Sequence, residues 1–119
     1  MLFRSSRGQA VHNIGRAALL VAAITSHRYD LLTTAVQDVL HQPARGTLFP
    51  AMYPIFDAAR AAGAHGVYLS GGGSTIAAFI TGNDDAVTGA MRQAAAAHGL
   101  QAQTRVVGFS TRGTEVVEA

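Results

Sequence analysis

The hydrophobic residues of this chain follow two different periods, and the change from one to the other comes at Gly63. Before Gly63, apolar residues recur at the three- and four-residue spacings of amphipathic helices. After it, residues 67–70 and 75–81 are short β-type runs on either side of three consecutive glycines. With 119 residues, the chain is long enough for one hydrophobic core but not for two full enzyme domains. The pattern therefore predicts a single α+β domain.

The N-terminal part combines basic residues up to Arg16 with a wholly apolar run over residues 17–24, as a short signal peptide does. However, helical apolar spacing already starts near Val11; the face predicted to point inward consists of Val11, Ile14, Ala18, Val21 and Thr25. The apolar run is also too short to span a bilayer, which takes about 20 residues. We therefore predict a soluble chain with no membrane partner, a disordered or divergent segment over residues 1–9, and a domain over residues 10–119.

Two more helices are predicted before Gly63. Asp30 is a suitable N-cap for the second helix, which Pro43 ends. Residues 41–50 are predicted to form a turn-rich connection to the third helix, which Gly63 ends. The third helix starts at Pro50 or Pro54, and its inward residues are Ile55, Phe56, Ala59 and Ala62.

A fourth helix is predicted over residues 86–98, after the two early strands. Its inward residues are Val87, Ala90, Met91 and Ala94. Residues 104–110 are predicted to form another strand, and Gly113 allows a tight hairpin to a last one. This β-β-α-β-β order predicts a three- to four-stranded, largely antiparallel sheet that helices cover on one face, with ferredoxin-like character.

The composition excludes several kinds of site. The absence of cysteine excludes disulfides, thiolate-bound zinc, iron–sulfur clusters and cysteine nucleophiles, and it is compatible with a cytoplasmic location. All nine basic side chains are arginines, so a P-loop lysine is impossible, and their scatter along the chain predicts no nucleic-acid surface. Because no two of the five histidines are four residues apart, we predict no metal site.

The run of three glycines between the first two strands is the most informative feature for function. Gly71, Gly72 and Gly73 can each reach positive φ and turn their N–H groups toward one point, a geometry that binds phosphate oxygens. Ser70 and Ser74 flank them and could add hydroxyl donors. Alternatively, residues 70–74, named the glycine loop below, are a tight hairpin turn that binds nothing. The residues alone leave both possibilities open.

Arg45 is the candidate for ligand binding among the charged residues. It lies in a segment bounded by Pro and Gly, where no helical neighbour is predicted to pair with it. The alternative is an arginine exposed to solvent. His41 follows Asp38 by three residues near the predicted end of the second helix, which suits an interaction with the helix dipole better than a catalytic role. No catalytic residue is predicted.

Several segments together resemble one enzyme family. LSGGGSTIAAF (residues 69–79) is similar to the third signature motif of the GHMP kinases, a Ser-Gly-small-Gly-Pro run between two strands, although Ser74 stands where the family usually has Pro. VHNIGRAALLVAAI (11–24), DVLHQPARGTLFP (38–50) and the terminal VVGFSTRGTEVVE resemble the homoserine kinase branch in order and spacing. The resemblance covers about residues 10–118.

The resemblance implies a ferredoxin-like C-terminal domain of a GHMP kinase. It implies transfer of the γ-phosphoryl group of ATP to the hydroxyl of L-homoserine or a similar small hydroxy amino acid, with magnesium on the phosphates, on the route to threonine. Arg45 would bind the substrate carboxylate through two parallel hydrogen bonds. The glycine loop would approach phosphate, and Asn13, on a helix that borders the substrate cleft, would contact the substrate.

The family's N-terminal domain carries a Pro-x-x-x-Gly-Leu-Gly-Ser-Ser-type loop around the ATP phosphates, and these 119 residues contain no such segment. We therefore expect half an enzyme, inactive alone and completed by an N-terminal kinase half. Two alternatives stay open. One is a non-catalytic module that binds or senses an amino acid. The other is a degenerate kinase remnant whose exposed apolar surface drives self-association, for example as a homodimer.

Overall fold

The computed structural model of the chain describes residues 4–117. Over this range, five α-helices and one 3₁₀ turn accompany a two-stranded antiparallel sheet, which confirms the α+β class. In chain order the elements are α1 (Arg7–Thr25), the 3₁₀ turn (Tyr29–Leu31), α2 (Leu32–Ala35), α3 (Gln42–Leu48), α4 (Met52–Ala61), β1 (Gly66–Leu69), β2 (Ile76–Phe79) and α5 (Asp84–Ala97). None of these helices combines the length and hydrophobicity needed to cross a membrane.

The hydrophobic core lies between α4, α5 and the β1–β2 hairpin. The hairpin pairs Gly66 with Phe79 and Leu69 with Ile76. The buried residues of the hairpin and of the two helices, together with Ala64 between α4 and β1, form one cluster, made of Met52, Phe56, Ala59, Ala64, Val67, Leu69 and Val87. The predicted inward residues Ile55, Phe56 and Ala59 of α4 are buried, as is Val87 of α5, so the helical period was interpreted correctly in both helices.

The first helix differs from its prediction at its start and in the face that it buries. It begins at Arg7 rather than near Val11, because Ser6 and Gln9 form a reciprocal capping box. Residues 1–3 of the predicted divergent segment lie outside the described residues. The face predicted to point inward is exposed: Val11 is 60% exposed, Ile14 69% and Val21 63%. The other side of α1 meets α2 and the 3₁₀ turn, and Ala23 is the residue fully buried there.

The second predicted helix is short, and the predicted turn-rich connection contains a helix. α2 ends at Ala35, and α3 covers seven residues of the HQPARGTLFP segment. The carboxylate of Asp38 accepts backbone hydrogen bonds at the entrance to α3 and so satisfies donors that lack helical partners. Pro43 falls in the first turn of α3, where its missing N–H costs nothing. It therefore starts a helix, and the prediction that it ends one was wrong.

The predicted late strands do not form over the described residues. Residues 101–117 contain no strand and no backbone–backbone hydrogen bond, so the sheet has two strands rather than three or four. Two side-chain contacts hold the segment near the core: Phe109 stacks on Phe79 with ring centroids 6.1 Å apart, and Arg92 donates to Thr104 at 2.9 Å. A β-type sequence becomes a strand only where a neighbouring edge pairs with it, and here none does.

Candidate functional site

The buried side chain of Gln42 joins α3 to the end of β1, where the glycine loop begins. Gln42 is 7% exposed, and its Oε1 accepts the backbone N–H of Leu69 at 2.8 Å. Its Nε2 donates to the carbonyl of Val36 at 3.4 Å. A buried amide needs such partners because an unpaired polar group in the core is costly. The HQPAR segment is thereby placed directly beside the glycine loop.

His41 and Arg45, at the start of α3 and within it, contact the glycine loop itself. His41 lies immediately before the helix and Arg45 one turn later, so their side chains lie on the same side of it. Nε2 of His41 lies 3.1 Å from the carbonyl oxygen of Gly71. Nη2 of Arg45 donates to the carbonyl oxygen of Gly72. The segment and the motif that were singled out separately in the sequence therefore meet at one place.

The glycine loop is a compact turn with unused donors. Ser70 N–H donates to the carbonyl of Thr75 at 2.8 Å, and Gly73 N–H donates to the carbonyl of Ser70 at 3.2 Å. Gly71 and Gly73 have φ of +57° and +85°, which favour glycine. The other three N–H groups of the loop interior, on Gly71, Gly72 and Ser74, have no acceptor among residues 4–117. Exposed backbone donors of this kind can bind anionic oxygens.

A groove of about 270 Å³ lies between α3 and the loop. Its lining residues are Arg45, Leu48, Phe49, Leu69, Gly72, Gly73 and Ser74. The only charged group among them is the guanidinium of Arg45, which makes no ion pair with an acid in the described part of the chain. An apolar wall with a cation and backbone donors suits a small ligand that carries an anionic group.

Asn13 is connected to this region through Asp38. Its Nδ2 donates to Oδ1 of Asp38 at 2.6 Å, and its Oδ1 accepts the N–H of Val39 at 3.1 Å. Partial burial raises the pKa of Asp38, but the hydrogen bonds from Asn13 and from the N–H groups of Gln42, Leu40 and His41 together outweigh it and hold that pKa below its ordinary value. Asp38 is therefore an ionised connector between α1 and α3.

The structure brings Arg45 together with Gly72, Gly73 and Ser74 at the groove, whereas Asn13 is not among the lining residues. Sequence reasoning missed His41 and Gln42 as partners of the loop and assigned Asp38 to a helix end. The signal that would have found them is Pro43, since proline favours the first turn of a helix. Within residues 4–117, no group of three or more acidic or histidine side chains is placed to hold a metal ion.

Comparisons with known proteins agree on one family. Residues 11–98 match the family model of the GHMP kinase C-terminal domain. Homoserine kinase of Desulfitobacterium hafniense is 39% identical over 113 residues, which are 94% of this chain and 38% of that protein. Homoserine kinase of Moorella thermoacetica is 41% identical over 108 residues, 91% of this chain and 36% of that protein.

A solved structure agrees with the sequence comparisons. The crystal structure of homoserine kinase from Cytophaga hutchinsonii superposes with a TM-score of 0.74 and 29% identity, over 82% of this chain and 32% of that one. The chain thus spans about a third of the length of each of these relatives. The resemblance drawn from the glycine motif and its order with the HQPAR segment is confirmed. The chain belongs to the GHMP kinase family and represents its C-terminal domain.

Proposed function

We propose that this chain is the C-terminal half of a homoserine kinase-like enzyme. The complete enzyme transfers the γ-phosphoryl group of ATP to the side-chain hydroxyl of L-homoserine and so supplies O-phospho-L-homoserine for threonine biosynthesis in the cytoplasm. The observation that carries the proposal is the contact between Arg45 and Gly72, which joins a cation to a loop with free N–H donors. The relatives of the chain, which are named homoserine kinases, support it.

Arg45 is proposed to bind the carboxylate of the amino-acid substrate. Its Nη2 holds the loop, while Nε and Nη1 make no hydrogen bond within residues 4–117. The planar guanidinium has five donor hydrogens, so it can hold the loop and still bind a carboxylate through another edge. Asn13 keeps one unused amide hydrogen after its bond to Asp38, and its role as a substrate contact stays a prediction.

The glycine loop is proposed to approach a phosphoryl group. The free N–H groups of Gly71, Gly72 and Ser74 and the hydroxyls of Ser70 and Ser74 are the donors available for its oxygens. Phosphoryl transfer depends mainly on positioning and on stabilising negative charge, which are the two things that such donors supply. The loop needs no titratable group for this role.

The remaining parts of the site are proposed to come from an N-terminal kinase half. ATP and Mg²⁺ belong to the complete enzyme, where Mg²⁺ neutralises phosphate charge. Among residues 4–117, no group of three or more acidic or histidine side chains is placed to hold this ion. The exposed face of α1 supports a partner of this kind, because three large apolar side chains there are more than half exposed. A homodimer is the alternative occupant of that face.

A second candidate function is an amino-acid-binding module without chemistry. The observation in its favour is that Arg45, the groove and the loop donors all lie within this one domain. The two functions differ in the effect of ATP on amino-acid binding. A kinase half binds its amino acid together with Mg-ATP once the N-terminal half is present. A sensing module binds the amino acid equally well with and without ATP. A degenerate remnant, the third possibility, binds neither.

The first experiment is a calorimetric titration of the chain with L-homoserine, with and without Mg-ATP. We expect binding that Arg45→Ala weakens roughly 10- to 100-fold, since hydrogen bonds to a charged group contribute about 1.5–3 kcal/mol. Arg60→Ala is the matched control, because Arg60 is an exposed arginine on α4 that pairs with Asp57 at 2.5 Å. Equal binding by both variants would contradict the role of Arg45. No binding by the folded wild-type chain would show either that recognition needs the N-terminal half or that the chain is a degenerate remnant.

The activity of the isolated chain is a separate test. We expect no conversion of ATP and L-homoserine by the purified chain, because the 119 residues contain no segment of the type that wraps the ATP phosphates. A coupled assay for ADP measures this directly. Turnover at an ordinary kinase rate, about 1–100 s⁻¹, would refute the proposal that a second half is required.

A further inference from the structure

His41 and Arg45 contact consecutive carbonyl groups of the glycine loop. Nε2 of His41 lies 3.1 Å from Gly71 O, and Nη2 of Arg45 donates to Gly72 O. The two side chains are four residues apart, so one face of the α3 segment presents both. We name this pair of contacts the loop clamp. It is the direct side-chain contact between α3 and the three glycines.

By holding the carbonyl group of Gly71, the clamp also determines the direction of the N–H group of Gly72. The peptide bond between Gly71 and Gly72 is trans, so its C=O and N–H groups point in opposite directions. A contact that fixes Gly71 O therefore also fixes the N–H of Gly72, one of the donors with no acceptor in the described chain. Three consecutive glycines have the largest conformational freedom to lose, so without such a contact this N–H would sample many directions.

The position of His41 is itself determined by its neighbours. Its backbone N–H donates to Oδ2 of Asp38 at 2.9 Å, and Asp38 in turn accepts from Asn13 at 2.6 Å. A continuous series of hydrogen bonds thus runs from α1 through Asp38 and His41 to Gly71. The histidine is held from behind while its ring reaches the loop.

We propose that His41 is a positioning residue of the glycine loop: by bonding Gly71 O, it orients the Gly72 N–H donor for an anionic ligand group. That this group is a phosphoryl group rests on the proposed function. The clamp itself rests only on the contacts of His41 and Arg45 with the loop. Because a carbonyl oxygen only accepts, the contact requires a proton on Nε2 of His41.

Amide order parameters from NMR relaxation of the ligand-free chain test the clamp. We expect values for Gly71 and Gly72 near the ~0.85 of rigid backbone in the wild type, falling toward 0.6 or below in His41→Ala. His41→Gln, whose amide can still donate to Gly71 O, should restore most of the order. His98→Ala is the matched control, because His98 also contacts a backbone carbonyl, Ala94 O at 2.9 Å, far along the chain from the loop.

Two outcomes would overturn the proposal. One is a loop whose order parameters are the same in His41→Ala as in His98→Ala. The other is a ¹⁵N spectrum of wild-type His41 with the proton on Nδ1 only, and this measurement needs no variant to fold. Neither experiment contains a ligand. The positioning role of His41 can therefore be refuted even if homoserine binds, and it can be supported even if homoserine does not bind, so its test is separate from that of the proposed function.

Discussion

Asp38 joins α1, the segment before α3 and the first turn of α3 through one carboxylate. It accepts the side chain of Asn13 at 2.6 Å and the N–H groups of Leu40 and His41 at 2.9 Å each, as well as the N–H of Gln42. Hydrogen bonds to an ionised group are about twice as strong as those between neutral groups. The placement of α3, and with it Arg45, therefore depends on this side chain as well as on Gln42.

The lowered pKa of Asp38 predicts a specific dependence of stability on pH. Because the folded-state pKa lies below that of the unfolded chain, about 3.9, the contribution of Asp38 is fully present above that value and is lost as the pH falls through the lowered pKa. Asp38→Asn should lower the free energy of unfolding by about 1–3 kcal/mol at pH 7 and by less at pH 2. Urea unfolding at both pH values measures the difference.

Asp57→Asn is the control for this prediction. Asp57 is 70% exposed in its pair with Arg60, so its loss should change the free energy of unfolding by no more than about 0.5 kcal/mol at either pH. If the two variants lose the same stability at pH 7, Asp38 is not the connector described above.

Substitution by alanine should have opposite effects on stability at Gly66 and at Gly89. A Cβ on Gly66 would lie 2.9 Å from the backbone oxygen and 3.2 Å from the Cβ of Leu32, which is buried. Gly66→Ala should therefore cost about 1–3 kcal/mol of unfolding free energy. A Cβ on Gly89 within α5 would meet nothing within 4 Å, so Gly89→Ala should add about 0.5–1 kcal/mol. Denaturation midpoints test both, and a shift of the same sign in both would contradict the packing.

At the scale of elements, α1 is unusual because one side that carries large apolar residues is exposed. Val11, Ile14 and Val21 are each at least 60% exposed and lie along one side of a 19-residue helix. Its other side is held by Ala23 and by polar contacts such as that of Asn13 with Asp38. Apolar residues therefore lie on both sides of the helix, since Leu19, Leu20 and Ile24 are partly buried on the covered side, and the apolar side predicted to point inward does not face the core of this domain.

This exposed face predicts self-association of the isolated chain. The double variant Ile14→Glu, Val21→Glu should reduce the concentration dependence of sedimentation, because it places charges on the apolar face. Its free energy of unfolding should stay within about 1 kcal/mol of the wild type, since both side chains are exposed. Val116→Glu, at a site that is 96% exposed and outside α1, should leave sedimentation unchanged. A wild-type chain that is monomeric at all concentrations would contradict the prediction.

At the scale of the whole molecule, stability is concentrated in one part of the chain. The two buried clusters are formed by residues between Ala51 and Ala95, within or beside α4, the hairpin and α5. Residues 101–117 contribute no backbone–backbone hydrogen bond, and Val107 and Phe109 are more than 70% exposed. The C-terminal segment is therefore attached to the domain by side chains alone.

Hydrogen exchange should show this division directly. Amides of residues 105–117 should exchange at nearly the rate of an unstructured peptide, whereas those of Val67 and Val87 should exchange only through opening of the core. Mass spectrometry of the exchanging chain resolves the two classes. Slow exchange at Val106 and Val107 would show instead that the segment pairs as the strand predicted from its sequence.

The fold could be predicted from the sequence wherever a local pattern was strong. The sequence predicted the bounds of β1, β2, α4 and α5 within a few residues. The reason is that the helical and strand spacing of apolar residues can be recognised within one short segment of the chain. The glycine connection between the two strands was predicted because glycine readily adopts the positive φ that a tight turn requires. In the candidate site, Arg45 and residues 70–74 were singled out from sequence, whereas the contacts of His41 and Gln42 were not, since their partners are 30 and 27 residues away.

What the sequence by itself determined is the α+β class, the family and the elements around the glycine loop. Only the tertiary structure decided that α3 packs against the glycine loop, which face of α1 is covered, and that residues 104–110 stay unpaired. Each of these depends on a partner far along the chain. Asp38, for example, meets Asn13 across 25 residues. The physical reason is that burial, strand pairing and long-range hydrogen bonds are satisfied by neighbours in space, which a local pattern does not specify.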